Sequence, residues 1–254
     1  MEASAPTTRL LARQGNRRSL ALFLLGLLLV CASFGILALA DGTVDTLVRE
    51  DDVVEWSGAA GLLAGGVLLL ASFVLARRRR PADMTPGGVW ILLASAAVLL
   101  FLAGEEISWG QRLFGWGTPE ALRGANAQDE TNLHNLGLFQ GTQLDGDRLF
   151  RIGWISFFVL LPLAAWALPR LRRALAPRLL IAPAWMAGLF LSAWIATTIA
   201  VDVFDGVYNG IYATSSAATE IQEALVELLI GIWALLTLQR VRRGAADESP
   251  PAPD

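Results

Sequence analysis

The stretch Val89-Trp90-Ile91-Leu92-Leu93-Ala94-Ser95-Ala96-Ala97-Val98-Leu99-Leu100-Phe101-Leu102-Ala103-Gly104, closed at once by Glu105-Glu106, decides the fold. At 1.5 Å per residue it comes near the roughly 30 Å of hydrocarbon that a spanning helix must cross. The paired carboxylates fall where such a helix would leave the lipid. Ionised groups there are costly unless they are paired, hydrated or bound to something.

Five further runs of the same kind flank it, giving expected spans over 19–40, 56–76, 89–104, 152–168, 179–201 and 221–238. The 254-residue chain is 54% hydrophobic and 17% charged, with a mean hydropathy of +0.51. That is more apolar and less charged than a soluble domain requires. The expectation is an all-α, polytopic membrane bundle of six transmembrane helices over residues 19–243. A polar arm (1–18) precedes it, and a disordered tail rich in Ala, Asp and Pro (244–254) follows.

The net charge of −3 hides an asymmetry. Arginines cluster before the first run (Arg9, Arg13, Arg17, Arg18), after the second (Arg77 to Arg80), between the fourth and fifth (Arg170, Arg172, Arg173, Arg178) and after the sixth (Arg240, Arg242, Arg243). The alternate connections carry Asp41, Asp45, Glu50, Asp51, Asp52 and Glu55, then Glu105-Glu106, then Asp202 and Asp205. The positive-inside rule therefore puts both termini in the cytoplasm and the acidic connections outside. The implied location is a membrane crossed several times, with membrane lipids as neighbours. Arg77–Arg80 reads as an anchor on anionic headgroups, not as a nucleic-acid site. The lone cysteine, Cys31, excludes an intrachain disulfide. Ala38-Leu39-Ala40 has the small-x-small form of a signal-peptide cleavage site, but the apolar run before it exceeds the usual 7–15 residues, so an uncleaved first helix is expected.

Within the spans, Gly58, Gly61, Gly65 and Gly66 form a small-residue face suited to close helix packing, and Gly26 and Gly35 are further candidate contact points. Pro162 and Pro183 are expected to kink or start the helices around them. Thr118-Pro119-Glu120 reads as a helix start, with Thr118 as N-cap and Gly124 as the stop. A second short helix is expected to hold Glu130 and His134, so that the outside connection 105–151 carries short interfacial helices. Thr219 and Gln222 form a capping-box pattern that opens the sixth span.

Chemistry concentrates in two segments and one helix stripe. The segments are Gly104-Glu105-Glu106-Ile107-Ser108-Trp109-Gly110-Gln111-Arg112 and Asp129-Glu130-Thr131-Asn132-Leu133-His134-Asn135, which contains the only histidine. Glu220, Glu223 and Glu227 fall at i, i+3 and i+7, one stripe of a single helix. Three carboxylates so placed repel one another unless one is protonated, paired or bound to a cation. Glu105, Glu106, Glu130, His134 and Arg112 are the candidate catalytic groups. Glu106, His134, Glu220 and Glu223 are the candidate ligands of a divalent metal such as zinc, iron or manganese. Gln111, Asn132, Asn135, Asp202, Asp205 and Glu227 complete the polar set. A plain ion-pair network tying three helices together is the competing reading of the same residues.

Familiar signatures do not fit. Membrane-embedded CAAX-type proteases place three residues between their Glu pair and Arg, whereas five (107–111) intervene here, and they need two histidine motifs. Gly-x-Ser-x-Gly and His-Glu-x-x-His do not occur. The wording of residues 104–116, then Thr118-Pro119-Glu120 and Glu130 to Asn135, resembles a family of uncharacterised bacterial polytopic membrane proteins. That resemblance covers roughly residues 104–136 and implies a membrane protein with a site in this connection. Three functional classes stay open: a membrane-embedded enzyme, metal-assisted or not, acting on a lipid or lipid-linked group at the outer leaflet; a proton- or cation-coupled transporter; and a non-catalytic subunit or scaffold.

Overall fold

In a computed structural model, six helices among the described residues are long and apolar enough to cross a membrane. The structure describes residues 5–39, 41–48, 53–126, 130–133, 136–137, 146–204 and 214–246. In order, α1 (Ala5–Phe34) runs into a tight turn at Gly35–Ala38 and the short α2 (Asp41–Val48). Then come α3 (Val53–Arg79), α4 (Pro86–Glu106), and the single turns α5 (Gln111–Phe114) and α6 (Glu120–Arg123). The fourth span is α7 (Gly146–Trp154), a π-helical turn over Ile155–Leu160, and α8 (Leu161–Ala167). A surface helix α9 (Pro169–Leu175) leads to α10 (Ala184–Phe204) and α11 (Thr214–Ala246). No strand forms among the described residues.

α11 is the central helix: 72% of its apolar stretch is buried within the bundle, against 6% for the first span. Its longest seam is with α3, which packs in turn against α4. Lipid tails are as apolar as Leu, so this association rests on close packing. The glycines expected to provide it do so at specific points. A Cβ on Gly61 would stand 2.9 Å from the carbonyl oxygen of Glu227, and one on Gly231 would stand 2.7 Å from the carbonyl oxygen of Gly61. Only hydrogen on both sides lets these two backbones approach so closely. Gly66 instead receives Leu100 of α4, and Gly26 receives Leu189 of α10. Gly35 faces open space and packs nothing.

Elsewhere aromatic rings fill the core. Phe158 stacks on Phe190 with ring centroids 4.8 Å apart, and Trp233 meets Phe158 edge-on at 5.1 Å. The Trp233 Nε1–H donates to the Leu180 carbonyl oxygen at 3.0 Å, satisfying the one polar atom of a buried indole. Pro162 lies just after the π-helical turn. That widened turn accommodates a residue that can supply no backbone donor. Pro183 is not inside a span: residues 180–183 are non-helical, and α10 begins after it at Ala184. The fifth span therefore starts later than its hydropathy suggests.

Basic connections gather at one end of the bundle. Thr85 donates through both its backbone N–H (2.9 Å) and its hydroxyl (3.1 Å) to the Pro177 carbonyl. Arg240 pairs with Asp83 at 3.0 Å, and Arg77 lies over the Trp90 ring, 5.5 Å from its centroid. The ends of α4 and α10 and the starts of α7 and α11, with Glu105, Glu106, Asp202 and Glu220, lie at the other end.

Candidate polar site at the acidic end

The end of α4 is built to reverse the chain. Ser108 (φ 46°), Trp109 (φ 55°) and Gly110 (φ 83°) are successively left-handed, a conformation that costs a non-glycine residue on the order of 1–3 kcal/mol. The turn folds the Trp109 indole back onto Gly104, whose absent Cβ would sit 2.9 Å from the ring. From there the Trp109 Nε1–H donates to Glu105 Oε1 at 2.6 Å, and the Leu133 backbone N–H donates to Glu105 Oε2, also at 2.6 Å. Both oxygens of this carboxylate, only 4% exposed, are thus engaged by the two quoted segments.

The second segment closes on the first through neighbouring bonds. Ser108 donates its hydroxyl to Glu130 Oε2 at 2.8 Å, and Asn132 Nδ2 donates to the same oxygen at 2.6 Å. Asn126 Nδ2 donates to the Asn132 carbonyl at 2.8 Å, while its Oδ1 accepts from the Glu130 N–H at 3.2 Å. Gln111 Oε1 accepts from the Thr131 N–H at 2.7 Å, and its Nε2 donates to the Thr118 hydroxyl at 3.0 Å. So Glu105, Gln111, Glu130 and Asn132, picked out as separate candidates, belong to one buried latch that holds the connection against the end of α4.

The latch corrects two expected helices. Glu130 lies in an irregular turn and not in a helix, because Asn126 and Asn132 take its backbone and side chain into the latch. Thr118 is not an N-cap: Pro119 occupies that position for α6, and the Thr118 hydroxyl is turned towards Gln111. Gly124 does end α6. Thr219 likewise lies inside α11, which has already begun at Thr214, so its capping pattern is not used. His134, Asn135 and Asp205 lie outside the described residues, and the Arg112 side chain is not described.

One helix away, the α11 stripe converges on Glu227. This residue is 4% exposed, with its carboxylate against Gly58 of α3 where no side chain intrudes. Glu106, Glu223, Glu55 and Glu220 are the carboxylates within electrostatic reach of it. The sequence reading missed Glu55 as a member, taking it for part of a solvated acidic loop. The signal was its place three residues before Gly58, on the glycine-bearing helix. The candidate metal set draws Glu106, Glu220 and Glu223 towards Glu227. Among the described residues, however, no three His, Cys, Asp or Glu side chains form a group able to hold a metal ion.

Beside the stripe lies a cavity of about 250 Å³ between α7, α10 and α11. Arg151, Asp202 and Glu223 supply its charges; Trp154, Trp194 and Thr197 line it more deeply. Glu223 belongs both to this cavity and to the carboxylate group around Glu227. Arg151 and Trp194 are not among the sequence candidates; only the fold brings them to one cavity with Asp202 and Glu223. No family model, curated protein or solved structure matches the chain.

Proposed function

We propose that the protein resides in a bacterial inner membrane with both termini cytoplasmic, and that its acidic end takes a lipid or lipid-linked molecule from the outer leaflet and subjects it to acid–base chemistry. The observation that carries this reading is the double position of Glu223. It lines the cavity between α7, α10 and α11 and lies within electrostatic reach of the buried Glu227. Adjacent carboxylates that share a site hold protons unequally, which gives one the capacity to donate and its neighbour the capacity to accept. In this assignment Glu223 meets the substrate, and Glu106 and Glu227 set its protonation. Glu105 and Glu130 are positioning residues, since the latch occupies both oxygens of Glu105 and Oε2 of Glu130.

A buried carboxylate group suits proton- or cation-coupled transport equally well in chemical terms. What favours a one-sided site is the seam below Glu227, where Gly61 and Gly231 bring α3 and α11 together backbone to backbone. The short helices α5 and α6, flanked by the exposed Leu113, Phe114 and Trp116, suit the headgroup zone beside the site. The test is lipid mass spectrometry on cells carrying the parent protein or Glu223→Gln. A lipid species that changes with the parent and not with the variant supports the reading; identical lipid profiles overturn it.

A further inference from the structure

The cavity between α7, α10 and α11 is graded along the membrane normal. Asp202 terminates the fifth span and Arg151 lies near the start of the fourth, so both stand at headgroup level. Trp194 is eight residues earlier on α10, roughly 12 Å deeper. A charged mouth over an aromatic floor matches a molecule whose polar end leads into an apolar one. At about 250 Å³ the cavity falls just below the roughly 300 Å³ at which sites for drug-sized ligands begin. That is room for a head group while its chains stay in the bilayer.

The charges narrow the choice. A guanidinium on α7 offers forked donors that suit a phosphate. On the facing helices α10 and α11, Asp202 and Glu223 offer two carboxylates, which suit an ammonium group. We propose that this cavity binds a zwitterionic head group in which an amino group and a phosphate are joined by a short alkyl chain, the head group of an aminophospholipid, with the phosphate at Arg151 and the ammonium between Asp202 and Glu223. This rests on the reading of the acidic end as a lipid site and specifies its substrate class.

Native mass spectrometry of the full-length protein in detergent tests it, with phosphatidylethanolamine, phosphatidylglycerol and water-soluble phosphoethanolamine as separate probes. The expected result is preferential binding of phosphatidylethanolamine. Asp202→Asn removes that preference by on the order of tenfold, the loss of one charge-assisted hydrogen bond, and Asp202→Glu retains it. Arg151→Gln weakens both phospholipids alike. Both positions are exposed, and a thermal melt of each variant verifies its fold. Equal binding of the two phospholipids by the parent, or a preference untouched by Asp202→Asn, overturns the proposal. Phosphoethanolamine binding as tightly as the lipid would overturn the lipid as its source. A phosphatidylethanolamine preference without any Glu223-dependent lipid change would sink the acid–base reading and leave the head-group assignment standing. Glu223-dependent chemistry on a different lipid would do the reverse.

Discussion

Trp109 holds Glu105 from a left-handed backbone: at φ 55° its indole N–H reaches back four residues to the carboxylate at 2.6 Å. The strain of the turn and the bond that offsets it therefore reside in the same residue. Trp109→Phe keeps the ring and removes the donor. It is expected to lower stability by about 1–3 kcal/mol, the range for a hydrogen bond to a charged, buried acceptor. A thermal melt in detergent reads this, and a variant as stable as the parent would show that the indole N–H adds nothing to the latch.

Gly58 and Gly61 make separable demands. A methyl at Gly58 collides first with the Glu227 carboxylate and only then approaches the Ala224 Cα at 3.0 Å, whereas the nearest atoms to one at Gly61 are all α11 backbone. Each Ala substitution is expected to cost about 1–3 kcal/mol, the usual range for overpacking. Shortening the neighbour in Glu227→Ala should rescue Gly58→Ala and leave Gly61→Ala unrelieved. A double-mutant cycle on both pairs measures this, and equal rescue of the two would contradict the assigned contacts.

Towards the basic end of the bundle, burial decides what single changes do. Trp233→Phe leaves the buried Leu180 carbonyl without its donor, and should cost about 1–3 kcal/mol. The Arg240–Asp83 pair is about 40–50% exposed on both sides, so Arg240→Gln should stay within roughly 0–1 kcal/mol. Comparing the two melts checks the order, and a larger loss for Arg240→Gln would show a role beyond that ion pair.

For sidedness, a reporter fused after Arg243 is expected to read cytoplasmic, and one inserted within 121–128 extracytoplasmic. A cytoplasmic reading from the long connection would reverse the assignment of the acidic end.

Glu106→Gln and Glu223→Gln are expected to leave thermal stability within about 1 kcal/mol, because the amide preserves shape and relieves like-charge repulsion. Both should abolish the lipid change ascribed to the protein. Removing one partner of a buried ion pair would instead cost about 3–5 kcal/mol. Unfolding of both variants would therefore mark the group as a structural network.

Span number was legible because a helix in hydrocarbon must be apolar all round, and composition alone records that. The glycine face of α3 was legible for a related reason, since small residues at helical spacing have few uses besides close approach. What sequence concealed was direction. Glu105 and Glu130 stood out as carboxylates beside polar neighbours, but nothing in their spacing revealed that left-handed Ser108 and Trp109 would turn the chain back. Local capping rules failed at Thr118 and Thr219 for the same reason: tertiary partners took Thr118, and an earlier helix start absorbed Thr219. The cavity was invisible because its walls come from three separate helices whose facing sides only the packing fixes.

The seam between Gly61 and Gly231 joins residues 170 positions apart. At about 5–20 residues per second of synthesis, roughly 10–30 s separate the two glycines. During that interval α3 stands with Gly58, Gly61 and the Glu55 end uncovered, waiting for the last span, while α4 already packs against Gly66. The central packing of this protein is thus its final act of assembly, and a nascent chain interrupted before α11 carries a bare intramembrane groove that insertion factors can shield and membrane proteases can recognise.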